Sequence, residues 1–178
     1  MKAGSLMKAG SFIDALQSPG PAEDRADKMG LYGRFIGDWT FDAVFNKDDG
    51  TTHKGQGEIH FIWALDGRAI QDVWILPGLF YGTTLRVYDP GLDAWHILWS
   101  DPLKQLYTRQ LARAQGGDIV QVGKHDDSGL TLRWSFTDIE PNSAPESFRW
   151  RSERSADDGA TWTLQADLRV RRVKAASN

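Results

Sequence analysis

Hydrophobic and polar residues alternate in short stretches from Phe35 onward, and turn signals separate these stretches. Asp49-Gly50 and Asp66-Gly67 are strong hairpin signals because both positions of a two-residue turn need positive φ. Pro77-Gly78 and later dipeptides rich in glycine, aspartate and proline mark further turns. The pattern predicts about ten strands, near residues 37–47, 52–64, 68–76, 80–88, 94–100, 105–114, 118–124, 130–138, 147–154 and 161–172.

Short consecutive strands without a long helical pattern between them predict an all-β fold. An antiparallel up-and-down β-barrel of about ten strands is favoured because closure removes exposed sheet edges. Ahead of the strands, Pro21 is well placed to open a short helix that passes through Met29 and ends near Gly30 or Gly33. We interpret this helix as a lid or plug on the sheet. We expect residues 1–20 to form a flexible N-terminal segment and residues 21–178 to form a single barrel domain.

Hairpin geometry assigns residues to the two faces of the sheet, since cross-strand partners point the same way. Two-residue loops at Asp49-Gly50, Asp66-Gly67 and Pro77-Gly78 set the register. One face then collects Trp39, Phe41, His60, Gln71, Thr84, Arg86, Tyr88, Trp95 and Trp99. The other collects Ile59, Phe61, Trp63, Ile70, Asp72, Trp74, Tyr81, Leu85 and Val87. A single bulge would exchange parts of the two sets, and the register around Tyr107 and Arg109 stays open.

Composition and charge narrow the function classes. The chain has 178 residues and a formal net charge of −3, which is too balanced for a protein that binds nucleic acid or an acidic membrane through basic excess. It has no cysteine, which excludes disulfides, thiol catalysis and thiolate metal sites. No apolar run approaches the roughly 20 residues of a membrane helix. The first residues lack the apolar core of a secretion signal, so we expect a cytoplasmic protein.

Three sequence features resemble a known superfamily. Gly37-Asp38-Trp39 opens the first strand after a short helix, which is the G-x-W pattern of lipocalins and related calycins. Arg169, Arg171 and Arg172 stand in the last strand, where that superfamily places an arginine over the tryptophan. The segments GEIHFIWALDGRAIQDVW (57–74), YDPGLDAW and LRWSFTDI resemble a bacterial lipocalin-like family, and the resemblance covers roughly residues 30–173.

The resemblance implies a barrel with Trp39 at its floor and a small, often apolar ligand above it. The face that contains Trp39 would then be the interior. Some lipocalin-like barrels with this start bind haem through a histidine near the C terminus, but no histidine follows His125 here. The four histidines also lack paired metal-ligand spacing, so we expect neither a cofactor nor a metal.

The interior face has the makeup of a ligand pocket, mostly apolar with a few polar groups. Its candidate ligand-binding residues are Trp39, Phe41, Gln71, Thr84, Tyr88, Trp95 and Trp99. Arg86, if inside, needs a carboxylate, which either the ligand or Glu58 could supply. The predicted function is therefore binding of a small hydrophobic or aromatic molecule. The alternative is that the aromatic side chains simply fill a core and Arg86 makes a structural ion pair.

A cofactor-free enzyme, such as a lyase, isomerase or cyclase, is the second hypothesis. His60 would move a proton and Arg86 would stabilise developing negative charge on a molecule held inside the barrel. The chain has no nucleophile–base pair and no cofactor signature, which favours binding over catalysis.

The opposite face would present a large apolar patch around Phe61, Trp63 and Trp74. Soluble monomers rarely expose such a patch, so we expect it to be covered. A homodimer that packs sheet on sheet is the favoured cover, and the N-terminal helix is the alternative.

Overall fold

The computed structural model describes residues 10–125 and 128–174. The predicted flexible segment of residues 1–20 therefore lies partly outside the described residues. Two helices and a short 3-10 helix precede the sheet: α1 Phe12–Leu16, the 3-10 helix Glu23–Arg25 and α2 Ala26–Gly33. Ten strands follow: β1 Gly37–Asn46, β2 Thr52–Ala64, β3 Ala69–Leu76, β4 Phe80–Asp89, β5 Ala94–Asp101, β6 Leu106–Gln115, β7 Asp118–Lys124, β8 Thr131–Thr137, β9 Ser147–Ser155 and β10 Thr163–Arg172.

The ten strands form a closed, antiparallel up-and-down barrel. Every strand pairs with its neighbours in sequence, and β1 closes the barrel against β10. The structure confirms the all-β fold class, and all strand boundaries lie within two residues of the predicted ones. No helix of the described residues is long and apolar enough to cross a bilayer.

The register agrees with the predicted one at two hairpins and differs at two others. His60 pairs with Val73 across the β2–β3 turn, and Tyr88 pairs with Trp95 across the β4–β5 turn, both as predicted. The β3–β4 loop, however, contains three residues, because Leu76 rather than Ile75 pairs with Phe80.

The β1–β2 register is also displaced by one residue. His60 pairs with Asp38, not with Trp39. Each one-residue change in register moves the side chains of the next strand to the opposite face of the sheet. Together the two slips turn β2 and β3 over relative to β1, β4 and β5, so the face assignment of these two strands was wrong.

Helix α2 plugs one end of the barrel. Met29 and Tyr32 of α2, with Phe35 just after it, are fully buried in the same core cluster as Trp39 on β1. Phe35 contacts the Trp39 ring at a centroid distance of 6.2 Å and the Phe148 ring at 4.8 Å. Burial of each such side chain stabilises the fold by roughly 1.5–3 kcal/mol, so the plug is an integral part of the core.

An arginine covers the tryptophan of the G-x-W motif at the plugged end. The Arg172 guanidinium lies 4.1 Å from the centroid of the Trp39 ring, and its Nη1 and Nη2 donate to the carbonyl oxygens of Ile36 and Arg34 at 2.8 Å. The Trp39 Nε1 donates to the Phe35 carbonyl at 2.7 Å. These contacts tie the chain after α2 to the first and last strands, and they confirm the predicted position of an arginine over Trp39.

Candidate functional site: a cavity in the barrel

The interior of the barrel has two different halves. The half next to α2 is a packed aromatic core around Phe35, Trp39 and Phe136. The other half contains a cavity of about 490 Å³. Both alternatives raised by the sequence, a filled core and a cavity, therefore describe part of the interior.

Aromatic rings and leucine side chains form the apolar part of the cavity wall. Four of the eight tryptophans line it, and leucines from β6, β8 and β10 complete the apolar surface. Trp150 packs against both Trp74 and Trp134, at centroid distances of 5.3 and 5.7 Å. The aromatic lining residues are Phe45, Trp74, Phe80, Trp99, Trp134 and Trp150.

A glycine makes room for one of these rings. A Cβ atom at Gly82 on β4 would lie 2.5 Å from the Trp99 indole and 2.7 Å from the Ser100 carbonyl oxygen. The absence of a side chain at Gly82 lets the Trp99 ring lie against the β4 backbone and form the wall there.

A buried ion pair lies between the cavity and the packed core. The Asp72 Oδ2 accepts from Arg86 Nε at 2.8 Å and lies 2.7 Å from Nη2, and the two side chains are 0% and 2% exposed. The Asp72 Oδ1 accepts from the Thr84 backbone N–H at 3.0 Å. On the core side, the guanidinium lies over the Tyr32 and Phe136 rings at 4.7 and 5.3 Å. Arg86 thus lines the cavity while its charge is neutralised by Asp72.

A glutamine joins this pair to the plug. The Gln121 Oε1 accepts from Arg86 Nη1 at 2.6 Å and from the Tyr32 hydroxyl at 2.8 Å. Burial raises the pKa of the Tyr32 phenol well above its usual value, so Tyr32 is a neutral donor at physiological pH. Helix α2 and the cavity floor therefore share one hydrogen-bond network.

The rim of the cavity is formed by loops and strand ends at the barrel end opposite α2. Lys104 extends from the β5–β6 turn, with its Nζ 5.7 Å from the centroid of the Phe80 ring. Asp101, the last residue of β5, is buried, and its Oδ1 accepts from the backbone N–H groups of Leu103 and Lys104 in the turn. Arg154 pairs with Asp48, and His125 is the one histidine among the described residues that lines the cavity.

The structure divides the sequence-predicted site residues into three groups. Thr84, Arg86 and Trp99 line the cavity. Four others point inward as predicted but belong to the packed core: Trp39, Phe41, Tyr88 and Trp95. Tyr88, for example, lies near α2, where its hydroxyl donates to Asp93 at 2.6 Å.

The third group, His60 and Gln71, lies on the outer face of the barrel, because β2 and β3 are turned over relative to the predicted register. The His60 side chain is 42% exposed, and its Nδ1 lies 2.7 Å from Asp38 Oδ1. Gln71 donates to Thr83 Oγ1 at 3.0 Å. His60 and Arg86 thus lie on opposite sides of the barrel wall, and the structure does not bring the predicted acid/base and anion-stabilising pair together.

The same inversion places residues inside that were predicted to lie outside. Asp72, not Glu58, is the carboxylate that pairs with Arg86, and Glu58 lies outside near His60. Phe61 and Trp74, the centre of the predicted dimer surface, are only 2% and 5% exposed. Trp63 packs against Gly33 of α2. Phe61 and Trp74 are therefore interior, whereas Trp63 is half-buried beside α2, and the dimer stays a prediction.

Several cavity residues were not found from the sequence. The sequence leaves the faces of Trp134 and Trp150 open, because the register predicted from the hairpins extends only as far as β5. Alternation along β8 and β9 places both on the inner face, since Phe136 pairs with Trp150 and Trp134 pairs with Ser152. Lys104 could not be predicted to line the cavity, because the direction of a side chain in a turn does not follow from strand alternation.

Comparison with known proteins supports the fold. A crystal structure of Rv2717c from M. tuberculosis aligns with this chain at a TM-score of 0.57 and 11% sequence identity, covering 89% of this chain and 99% of that chain. The likeness at this identity is one of fold alone. No protein-family model and no curated protein sequence matches the chain.

Proposed function

We propose that this protein binds a small apolar or aromatic molecule in the barrel cavity. The observation that supports the proposal is the cavity of about 490 Å³ with its aromatic wall. Ligand sites typically occupy about 300–1,000 Å³ and combine an apolar wall with a few polar groups. The volume of this cavity falls within that range, and its wall has the same combination of apolar and polar groups.

The chemistry of the wall favours a flat, hydrophobic ligand. Trp74, Trp134 and Trp150 form a continuous aromatic surface in the cavity. Aromatic rings bury large areas and contribute about 0.5–1.5 kcal/mol beyond that area when they pack edge to face or offset against another ring. A ligand with fused or linked rings would gain both contributions.

The proposal includes a lipocalin-like, calycin-type architecture. The G-x-W tryptophan at the closed end, Arg172 over its ring and the binding space above the floor are all consistent with this assignment. They support it together with the sequence resemblance.

A fluorescence titration tests the proposed function. N-phenyl-1-naphthylamine is a neutral aromatic probe whose emission rises in apolar surroundings. We expect saturable binding with energy transfer from tryptophan, because four tryptophans line the cavity. Absence of saturable binding by this probe and by a library of related aromatic molecules would contradict the proposal.

A matched pair of variants tests whether the probe binds inside the barrel. Ser152→Phe puts a large ring into the cavity, whereas Ser100→Phe introduces the same ring at an outward position on β5. We expect Ser152→Phe to weaken probe binding at least about tenfold, which corresponds to about 1.4 kcal/mol, and Ser100→Phe to leave it unchanged. Equal binding by both variants would show that the probe binds elsewhere.

A further inference from the structure

Resting on the proposed function, we infer that the ligand carries an anionic group and binds with that group at the rim, next to Lys104, and its apolar body inside. Three arginine and lysine side chains line the cavity, Arg86, Lys104 and Arg154, and they differ in their partners.

The arginine at the cavity floor is already occupied. Each of the three guanidinium nitrogens of Arg86 lies within hydrogen-bond distance of a protein oxygen, on Asp72 or Gln121. A ligand anion that displaced Asp72 would leave a fully buried carboxylate unpaired, which is strongly unfavourable. The floor therefore disfavours an anionic group, and any anionic group of the ligand would lie elsewhere in the cavity.

The rim contains a cation without such a partner. Lys104 makes no ion pair with any described residue, and its ammonium group lies over the Phe80 ring in the cavity wall. Asp101 is the carboxylate nearest in sequence, but its Oδ1 is engaged with the amide groups of its own turn. Arg154, the other rim cation, is paired with Asp48. Lys104 is thus the rim group with three donors available for an anion.

The contact with Phe80 positions the ammonium group for this role. A cation over an aromatic ring is attracted to its face, and the geometry here places Nζ 5.7 Å from the ring centroid. Phe80 itself packs against Phe41 and Phe45 of β1. Lys104 is exposed at the rim, and its ammonium group therefore lies between solvent and the apolar cavity, where an amphipathic anion can contact both the cation and the apolar wall.

Two probes that differ by one charge test this inference. N-phenyl-1-naphthylamine is neutral, and 1-anilinonaphthalene-8-sulfonate has the same aromatic skeleton with a sulfonate. We expect the sulfonate probe to bind more tightly at low salt and to lose this advantage as salt rises, because partly exposed ion pairs are screened. We expect Lys104→Gln to weaken the sulfonate probe roughly three- to tenfold and to change binding of the neutral probe less than about twofold.

Lys124→Gln provides the control for net charge. Lys124 ends β7 at the same end of the barrel, is paired with Asp158 and does not line the cavity. We expect this variant to bind both probes like the wild type. An equal effect of Lys104→Gln and Lys124→Gln would overturn the direct contact, because a general field would then explain the preference.

The outcomes separate the two proposals. If neither probe binds in a way that Ser152→Phe abolishes, the proposed function fails. If the neutral probe binds in the cavity but the sulfonate probe binds no more tightly and is insensitive to Lys104→Gln, the proposed function stands and the anionic class of ligand is overturned.

Discussion

Arg86 and Asp72 show how the interior of the barrel accommodates charged side chains. Both side chains are almost fully buried, and they satisfy each other while Gln121 and the Thr84 backbone take the remaining bonds. Such a pair contributes little net stability compared with apolar residues of similar size, but loss of one partner leaves a buried charge unpaired. The pair therefore makes the two positions strongly dependent on each other.

We predict that Arg86→Met destabilises the protein by about 3–5 kcal/mol, because Asp72 then remains buried without its partner. The double variant Arg86→Met with Asp72→Leu should recover a large part of this loss. Urea unfolding of both variants and of Asp72→Leu alone closes a double-mutant cycle. Additive losses in the double variant would contradict the coupling.

Helix α2 contains two glycines, three residues apart, that have different roles. A Cβ atom at Gly33 would lie 2.3 Å from the Trp63 indole, whereas a Cβ atom at Gly30 would meet nothing within 4 Å. Gly33 thus permits close packing of α2 on β2. Gly30 has no such packing role, and its lack of a side chain only lowers helix propensity.

We predict opposite effects of the same substitution at these positions. Gly30→Ala should stabilise the protein by about 0.5–1 kcal/mol through helix propensity. Gly33→Ala should destabilise it by about 1–3 kcal/mol, because Trp63 must move to accept the methyl group. Thermal or urea unfolding measures both, and a stabilising Gly33→Ala would show that the plug does not pack as described.

Tyr32 of α2 makes stability depend on alkaline pH. Burial raises the pKa of its phenol above the usual value of about 10. Above that pH the unfolded chain releases the proton while the folded protein retains it, so stability falls as pH rises, by at most about 1.4 kcal/mol per pH unit for this group.

We therefore predict that Tyr32→Phe is less stable than the wild type at pH 7, by about 1 kcal/mol for the lost hydrogen bond to Gln121. The difference should shrink or reverse by pH 11, because the variant has no phenol to keep protonated. Unfolding free energies measured at both pH values test this, and a constant difference would contradict a buried neutral phenol.

The hairpins show which features of the strands can be predicted from the sequence and which cannot. Turn dipeptides located all ten strands, because they need only a local signal. The face on which a side chain lies depends in addition on the number of residues in each loop. The loop after Leu76 has three residues instead of two, and the β1–β2 register around Asp49-Gly50 is displaced by one residue. One error lies at the turn before β2, and the other lies at the turn after β3. That hairpin alone was inverted, which is why His60 and Gln71 were placed inside and Asp72 and Trp74 outside.

The whole molecule combines a rigid floor with an open cavity. One half of the barrel is filled by α2 and the aromatic core, so the other half can leave space without collapse. The division could not be predicted from the sequence, because aromatic residues such as Trp95 and Trp99 occupy the same strand and the same face yet lie in different halves. Their position along the barrel axis, rather than their face, decides which of them lines the cavity.

A crystal structure of the protein grown with N-phenyl-1-naphthylamine tests the central claim most directly. We predict density for the probe inside the barrel, in contact with Trp74 and Trp150, with the Arg86–Asp72 pair intact beneath it. A cavity closed by its own side chains, or density for the probe only on the outer surface of the barrel, would contradict the account.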